Sequence, residues 1–128
     1  MKKDSIYQLT AHYDDKHQGK SPRVLYVCNA GMHRSATAAR LAGEYGINSR
    51  ACGTAGYALI PLSANLIEWA ESIVFMKESN REMAKLIFDQ YPRYLSKISN
   101  NSEVWDIEDD YEYMDSELVR LIRHKLEN

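Results

Sequence analysis

Two short apolar runs, Val24-Leu25-Tyr26-Val27 and Ser72-Ile73-Val74-Phe75-Met76, constrain the fold of this chain more than any other feature. Neither alternates apolar with polar residues, so each reads as a strand buried on both faces. The segments around them carry helical spacing. Residues 34–45 predict a helix with Ala38, Leu41, Ala42 and Tyr45 on one side and Gly46 as its stop. Ser63 is placed to cap a helix over 64–71 in which Leu66, Ile67 and Ala70 share a face. Residues 79–90 predict a helix with Met83, Leu86 and Ile87 inward and Pro92 beyond its end. A last helix over 116–126 has Leu118, Leu121, Ile122 and Lys125 spaced by three and four. Weaker strands are expected at 48–52 and 103–107. Strand and helix therefore alternate, which predicts an α/β fold of three layers: a four-stranded parallel sheet flanked by helices on both faces.

The 128 residues suit one domain, read as 22–128, preceded by a lead-in segment over 1–21 with one short local element around 6–13. Apolar residues make up 45% of the chain, enough to build a core and to exclude wholesale disorder. No apolar run approaches the roughly 20 residues of a membrane span. The opening Met1-Lys2-Lys3-Asp4-Ser5 has no apolar stretch behind it, so a cytoplasmic location is expected, with no membrane partner. The net charge of −2 argues against general nucleic-acid binding. Two cysteines and four scattered histidines offer no zinc-binding spacing, and neither a metal nor a cofactor is expected.

In a parallel sheet, ligands bind at the carboxyl ends of the strands. The segment leaving the first strand is Cys28-Asn29-Ala30-Gly31-Met32-His33-Arg34-Ser35, or C-x-x-x-x-x-R-S, and it runs straight into a helix. A tight loop there turns successive backbone N–H groups into one concavity, and the helix dipole adds its positive end. The fitting ligand is a tetrahedral dianion. Arg34 offers a planar fork for two phosphate oxygens, and a cationic cradle of this kind favours the thiolate of a cysteine placed in it. Ser35 is placed to donate a hydrogen bond to Cys28, and Gly31 supplies the left-handed backbone that such a loop calls for.

These residues resemble the low-molecular-weight protein tyrosine phosphatase family, in particular a bacterial branch described as predicted protein tyrosine phosphatases. The resemblance runs from about Arg23 to the C-terminus. Residues 24–35 are similar to the family's phosphate loop, and Ala51-Cys52-Gly53-Thr54-Ala55-Gly56 to its Ser-Ala-Gly-Thr segment. Phe75-Met76-Lys77-Glu78-Ser79-Asn80 resembles its Met-Asp-Glu-Ser-Asn segment, and the stretch from Asp106 to Asp115 its Asp-Pro-Tyr loop. The resemblance implies Cys28 as the nucleophile, Arg34 with the loop amides of Asn29, Ala30, Gly31, Met32 and His33 as the phosphate cradle, and Ser35 as support for the thiolate. It implies Asp109 as the general acid, with Asp110 as runner-up, and Tyr57 and Tyr111 as aromatic walls. The implied partner is a phosphotyrosine protein or small aryl phosphate, because phenolate, of parent pKa about 10, leaves more readily than a serine alkoxide.

Residues 103–117 carry eight acids and no base. A general acid must hold its proton near neutrality, and crowded carboxylates oppose one another's ionisation, which gives part of this run a use. The chain departs from the family at Gly31 (Asn in the common loop), at His33 (a second cysteine in some relatives), at Lys77 (usually Asp) and at Asp110 (usually Pro). Two alternatives stay open. Arsenate reduction uses the same loop but needs a resolving thiol, for which Cys52 is the one internal candidate. A non-catalytic phosphotyrosine or phosphate binder would keep the loop without turnover.

Overall fold

The computed structural model describes residues 21–128; the lead-in segment, with its expected element around 6–13, lies outside the described residues except for Ser21. Strand β1 (Arg23–Cys28) is followed by α1 (Arg34–Gly43), β2 (Asn48–Gly53), α2 (Ala64–Trp69), β3 (Ser72–Phe75), α3 (Glu78–Ile87), α4 (Pro92–Asn100), β4 (Ser102–Val104) and α5 (Ser116–Glu127). The four strands form one parallel sheet in the order β2-β1-β3-β4. Among the described residues, no helix is long and apolar enough to cross a membrane.

The two apolar runs are the two inner strands, as their unbroken hydrophobicity requires. Alternate residues of β1 feed opposite cores. Val24, Tyr26 and Cys28 join Ala38, Leu41, Leu118 and Ile122 beneath α1 and α5. Leu25 and Val27 join Leu66, Ile67, Phe75, Ala84 and Ile98 beneath α2, α3 and α4. The edge strand β2 is polar in sequence, yet Arg50 is buried; its guanidinium stacks over the Trp69 ring at 4.7 Å.

Three elements differ from the sequence expectation. Pro92 does stand beyond α3, but it also occupies the first turn of α4, where its missing N–H needs no partner. The buried face of α3 runs along Asn80 and Ala84 to Phe88, while Met83, Leu86 and Ile87 are 46%, 65% and 42% exposed. The small Ala84 lets α3 lie close on the sheet, and Asn80 is drawn inward by polar partners described below. The last strand ends early because Asp106 takes a left-handed backbone, φ 58°. Its pairing nevertheless continues, since the Trp105 and Ile107 amides donate to the Phe75 and Met76 carbonyls at 2.9 and 2.7 Å.

The chain passes from β1 out to β2, then crosses back over β1 to β3. The strand order reverses between β1 and β3, and the carboxyl ends of strands at such a reversal are where ligands bind in open parallel sheets.

Candidate active site

Cys28 is the last residue of β1 and is almost wholly buried. Its Sγ lies 3.1 Å from Ser35 Oγ and accepts a hydrogen bond from the Gly31 amide at 3.2 Å. The loop over 29–33 therefore curls back over the sulfur. Its outer side is strapped to the segment after β2: the Thr54, Ala55 and Leu59 amides donate to the carbonyls of Cys28, Asn29 and Ala30 at 3.0, 3.0 and 2.9 Å. In a trans peptide the N–H opposes the C=O, so these straps turn the amides of Asn29, Ala30 and Gly31 toward the loop interior. Gly31 has φ 71°, as the sequence led one to expect, and a Cβ there would meet the Cys52 carbonyl carbon at 2.9 Å. Gly53 faces the same squeeze from the other side, with a built Cβ 2.2 Å from the Asn29 carbonyl oxygen. Met32, 45% exposed, and the half-buried His33 complete the turn into α1; His33 occupies the N-cap position without a side-chain cap bond.

Arg34, the first residue of α1, is 1% exposed. Its Nη1 donates to the Ile107 carbonyl at 2.8 Å, and its buried Nε has no hydrogen-bond acceptor. A carboxylate oxygen of Asp109 stands 3.5 Å from that Nε, too poorly placed for a hydrogen bond but close enough for an ion pair. Arg34 thus ties the loop over 29–33 to the acidic loop and keeps a desolvated N–H beside the Asp109 carboxylate. Asp109 remains more than half exposed, whereas Asp110 is exposed and forms no ion pair among the described residues.

The acidic run is less crowded electrostatically than its sequence implies. Lys77 Nζ sits 2.6 Å from Asp106 Oδ1 and 2.7 Å from Glu108 Oε1. Hydrogen bonds donated to the two carboxylates, that to Asp106 first, push the Lys77 ammonium up, and Lys77 in turn holds the Asp106 carboxyl below its usual range. Glu117 pairs with Arg120, and Asp115 caps α5 by accepting from the Glu117 and Leu118 amides. Mutual repulsion among the acids is therefore offset by a cation at four of the eight, Asp106, Glu108, Asp109 and Glu117.

Asn80, which sequence reasoning quoted in a motif without giving it a role, is a structural hinge of the site. Its Nδ2 donates to Asn29 Oδ1 at 2.5 Å, and its Oδ1 accepts from the Lys77 amide at 3.1 Å. Its position just past β3, at a carboxyl end of the sheet, was the available signal. Thr37 is a second omission: its Oγ1 accepts from the Met114 amide at 2.9 Å and fastens the far end of the acidic loop to α1.

Of the expected aromatic walls, Tyr57 is 75% exposed in the segment strapped to the phosphate loop, and Tyr111 packs partly against the α1–α5 core. Cys52 is completely buried in the core opposite to that of Cys28, and burial pushes its thiol well up, with Cys28 a smaller cause. The two thiols lie on opposite faces of the sheet and cannot join without backbone movement.

The chain matches no family model and no curated protein. It is similar to several solved structures. YfkJ from Bacillus subtilis aligns with a TM-score of 0.60 at 15% identity, over 86% of this chain and 92% of that one. YwlE arginine phosphatase from Geobacillus stearothermophilus aligns with a TM-score of 0.56 at 16% identity, over 83% and 91%. A mutant of YwlE from Bacillus subtilis aligns with a TM-score of 0.55 at 19% identity, over 84% and 97%. At such identities the likeness is one of fold, and that fold is the α/β one with a four-stranded parallel sheet that the sequence led one to expect.

Proposed function

We propose that this chain is a metal-independent phosphomonoesterase that works through a phosphocysteine on Cys28 and acts on aryl phosphates, with phosphotyrosine in proteins as the physiological class. The observation that carries the reading is the convergence at the carboxyl end of β1. Cys28 Sγ lies within 3.2 Å of both Ser35 Oγ and the Gly31 amide, in a loop closed by the buried Arg34. The Asp109 carboxylate stands 3.5 Å from that arginine.

In the first step the Cys28 thiolate attacks phosphorus. The P–S bond forms as the P–O bond to the aryl group breaks, and Asp109 delivers its proton to the departing phenolate. Arg34 and the inward amides of Asn29, Ala30 and Gly31 hold the equatorial oxygens, where charge is spread in the transition state. In the second step water attacks phosphorus and gives a proton to the Asp109 carboxylate. The P–S bond breaks, inorganic phosphate leaves, and Ser35 steadies the returning thiolate.

Two of the neighbouring YwlE structures are of arginine phosphatases, one of them a mutant with a phosphorylated active site serine. Phosphoarginine is therefore the second reading, with the same nucleophile and cradle and a guanidine leaving group. Self-contained arsenate reduction is disfavoured by the separation of Cys28 and Cys52 onto opposite cores.

The test is hydrolysis of p-nitrophenyl phosphate across pH 5–8 in EDTA, followed by phosphotyrosine and phosphoarginine peptides, with Cys28→Ser as control. A bell-shaped profile abolished by the substitution is expected, with phosphotyrosine preferred. Turnover that survives Cys28→Ser refutes the mechanism, and a preference for phosphoarginine replaces the substrate.

A further inference from the structure

We propose that Lys77 is a positioning residue for Asp109: it clamps the acidic loop closed over the phosphate loop by holding the side chains on either side of Ile107. This rests on the phosphatase reading above.

Residues 106, 107 and 108 are gripped from two directions. Lys77 Nζ takes the carboxylates of Asp106 and Glu108 at 2.6 and 2.7 Å, while Arg34 Nη1 takes the carbonyl of Ile107 between them at 2.8 Å. Asp109 is the next residue, so its placement is set by this three-point grip. The grip adds to the Ile107 amide bond to the Met76 carbonyl in holding a backbone that turns left-handed at Asp106, a conformation unfavourable for a non-glycine residue that persists only when its surroundings hold it.

Lys77 is itself anchored. Its amide donates to Asn80 Oδ1, and Asn80 donates to Asn29 of the phosphate loop. One chain of contacts therefore runs from the cradle, through Asn29, Asn80 and Lys77, to the acidic loop. The clamp ties the position of the proton donor to that of the nucleophile. Among the described residues the ion pairs of Lys77 go to Asp106 and Glu108 while Asp109 pairs with Arg34, so on this proposal the effect of Lys77 is confined to steps that need the acid well placed. An offset of about 1 Å in such a group is enough to cost up to about a hundredfold.

The experiment compares kcat/KM across aryl phosphates of graded leaving-group pKa for wild type, Lys77→Met, Lys77→Arg and Asp109→Asn. With phenyl phosphate, which needs the proton, Lys77→Met is expected to lose about tenfold; with p-nitrophenyl phosphate, whose phenolate leaves unaided, it loses about twofold or less. The dependence on leaving-group pKa steepens in the direction of Asp109→Asn. Lys77→Arg restores the wild-type slope, and Lys77→Met adds nothing in an Asp109→Asn background.

A uniform loss over all leaving groups, or no loss, overturns the proposal. Wild type without Cys28-dependent turnover defeats the phosphatase reading instead. Amide hydrogen exchange over residues 105–112 then judges the clamp alone, with β1 and α1 as controls for folding. Faster exchange confined to that loop in Lys77→Met supports the clamp, and unchanged exchange refutes it.

Discussion

Asp109 and Arg34 form an ion pair, carboxylate oxygen to buried Nε at 3.5 Å, while the adjacent Asp110 is exposed and forms no ion pair among the described residues. On the proposed mechanism the general acid reaches the leaving-group oxygen of a phosphate seated on that arginine, and of the two neighbours Asp109 is the one in contact with the arginine. Asp109→Asn is expected to lower kcat/KM for phenyl phosphate by about 10²–10⁴-fold, the usual range for general acid catalysis. Asp110→Asn should change it by about threefold at most, because it removes an exposed charge whose effect is screened. Steady-state kinetics on the two variants decides between them, and the reverse ranking would reassign the acid.

Asn80 predicts a loss of a different kind. Asn80→Ala removes both the bond to Asn29 and the acceptor for the Lys77 amide from a buried position. Leaving such groups unsatisfied costs about 1–3 kcal/mol. Urea unfolding should register that loss, and the inhibition constant for inorganic phosphate should rise with it, since the loop that cradles the anion is no longer held. Unfolding without a change in phosphate inhibition would make Asn80 purely structural.

Placing at Gly31 the asparagine that the resembled family carries in its loop is expected to harm the protein. Asparagine tolerates left-handed backbone better than most residues. Here its Cβ would meet the Cys52 carbonyl carbon at 2.9 Å and the Gly53 amide nitrogen at 3.0 Å. Those are backbone atoms of a sheet strand and cannot swing aside. Gly31→Asn should lower stability by about 1–3 kcal/mol, the range for overpacking, and reduce turnover. Thermal melts and p-nitrophenyl phosphate kinetics check it; a gain in either would show that the loop relaxes away from β2.

Cys52 should have no part in protecting Cys28. The two side chains belong to cores on opposite faces of the sheet. Cys52→Ala is expected to show the same rate of peroxide inactivation as wild type to within about twofold, and the same recovery with thiol, because bridging would require backbone movement. Mass spectrometry of the oxidised protein should find no Cys28–Cys52 linkage. Its presence would mean that the end of β1 unravels on oxidation.

Leu86 separates pattern from packing. Read as an inward helix residue, its truncation would cost about 2–5 kcal/mol. At 65% exposure, Leu86→Ala should change stability by about 0.5 kcal/mol or less. Leu66→Ala, buried beneath α2, should show the larger loss, and denaturant titration of the pair is the measurement.

Much of this protein is written locally. Continuous apolar runs can only be strands covered on both faces, so β1 and β3 were legible, and with them the parallel sheet. Cys28, Gly31, Arg34 and Ser35 were legible as candidates because a strand–loop–helix junction is suited to anions through its own backbone, and the whole motif lies within eight residues. Tertiary structure decided what joins segments remote in sequence. It turned α3 so that Asn80 rather than Leu86 faces inward, because a polar partner at Asn29 and the small Ala84 outweigh an apolar stripe. It separated Cys28 from Cys52 by the strand alternation that puts neighbouring register positions on opposite faces. It also paired part of a run of like charges, since Lys77 and Arg34 reach that run only when β1, β3 and β4 lie side by side. Periodicity reports which residues avoid water; which groups then meet is set by the register of strands that the chain brings together from far apart.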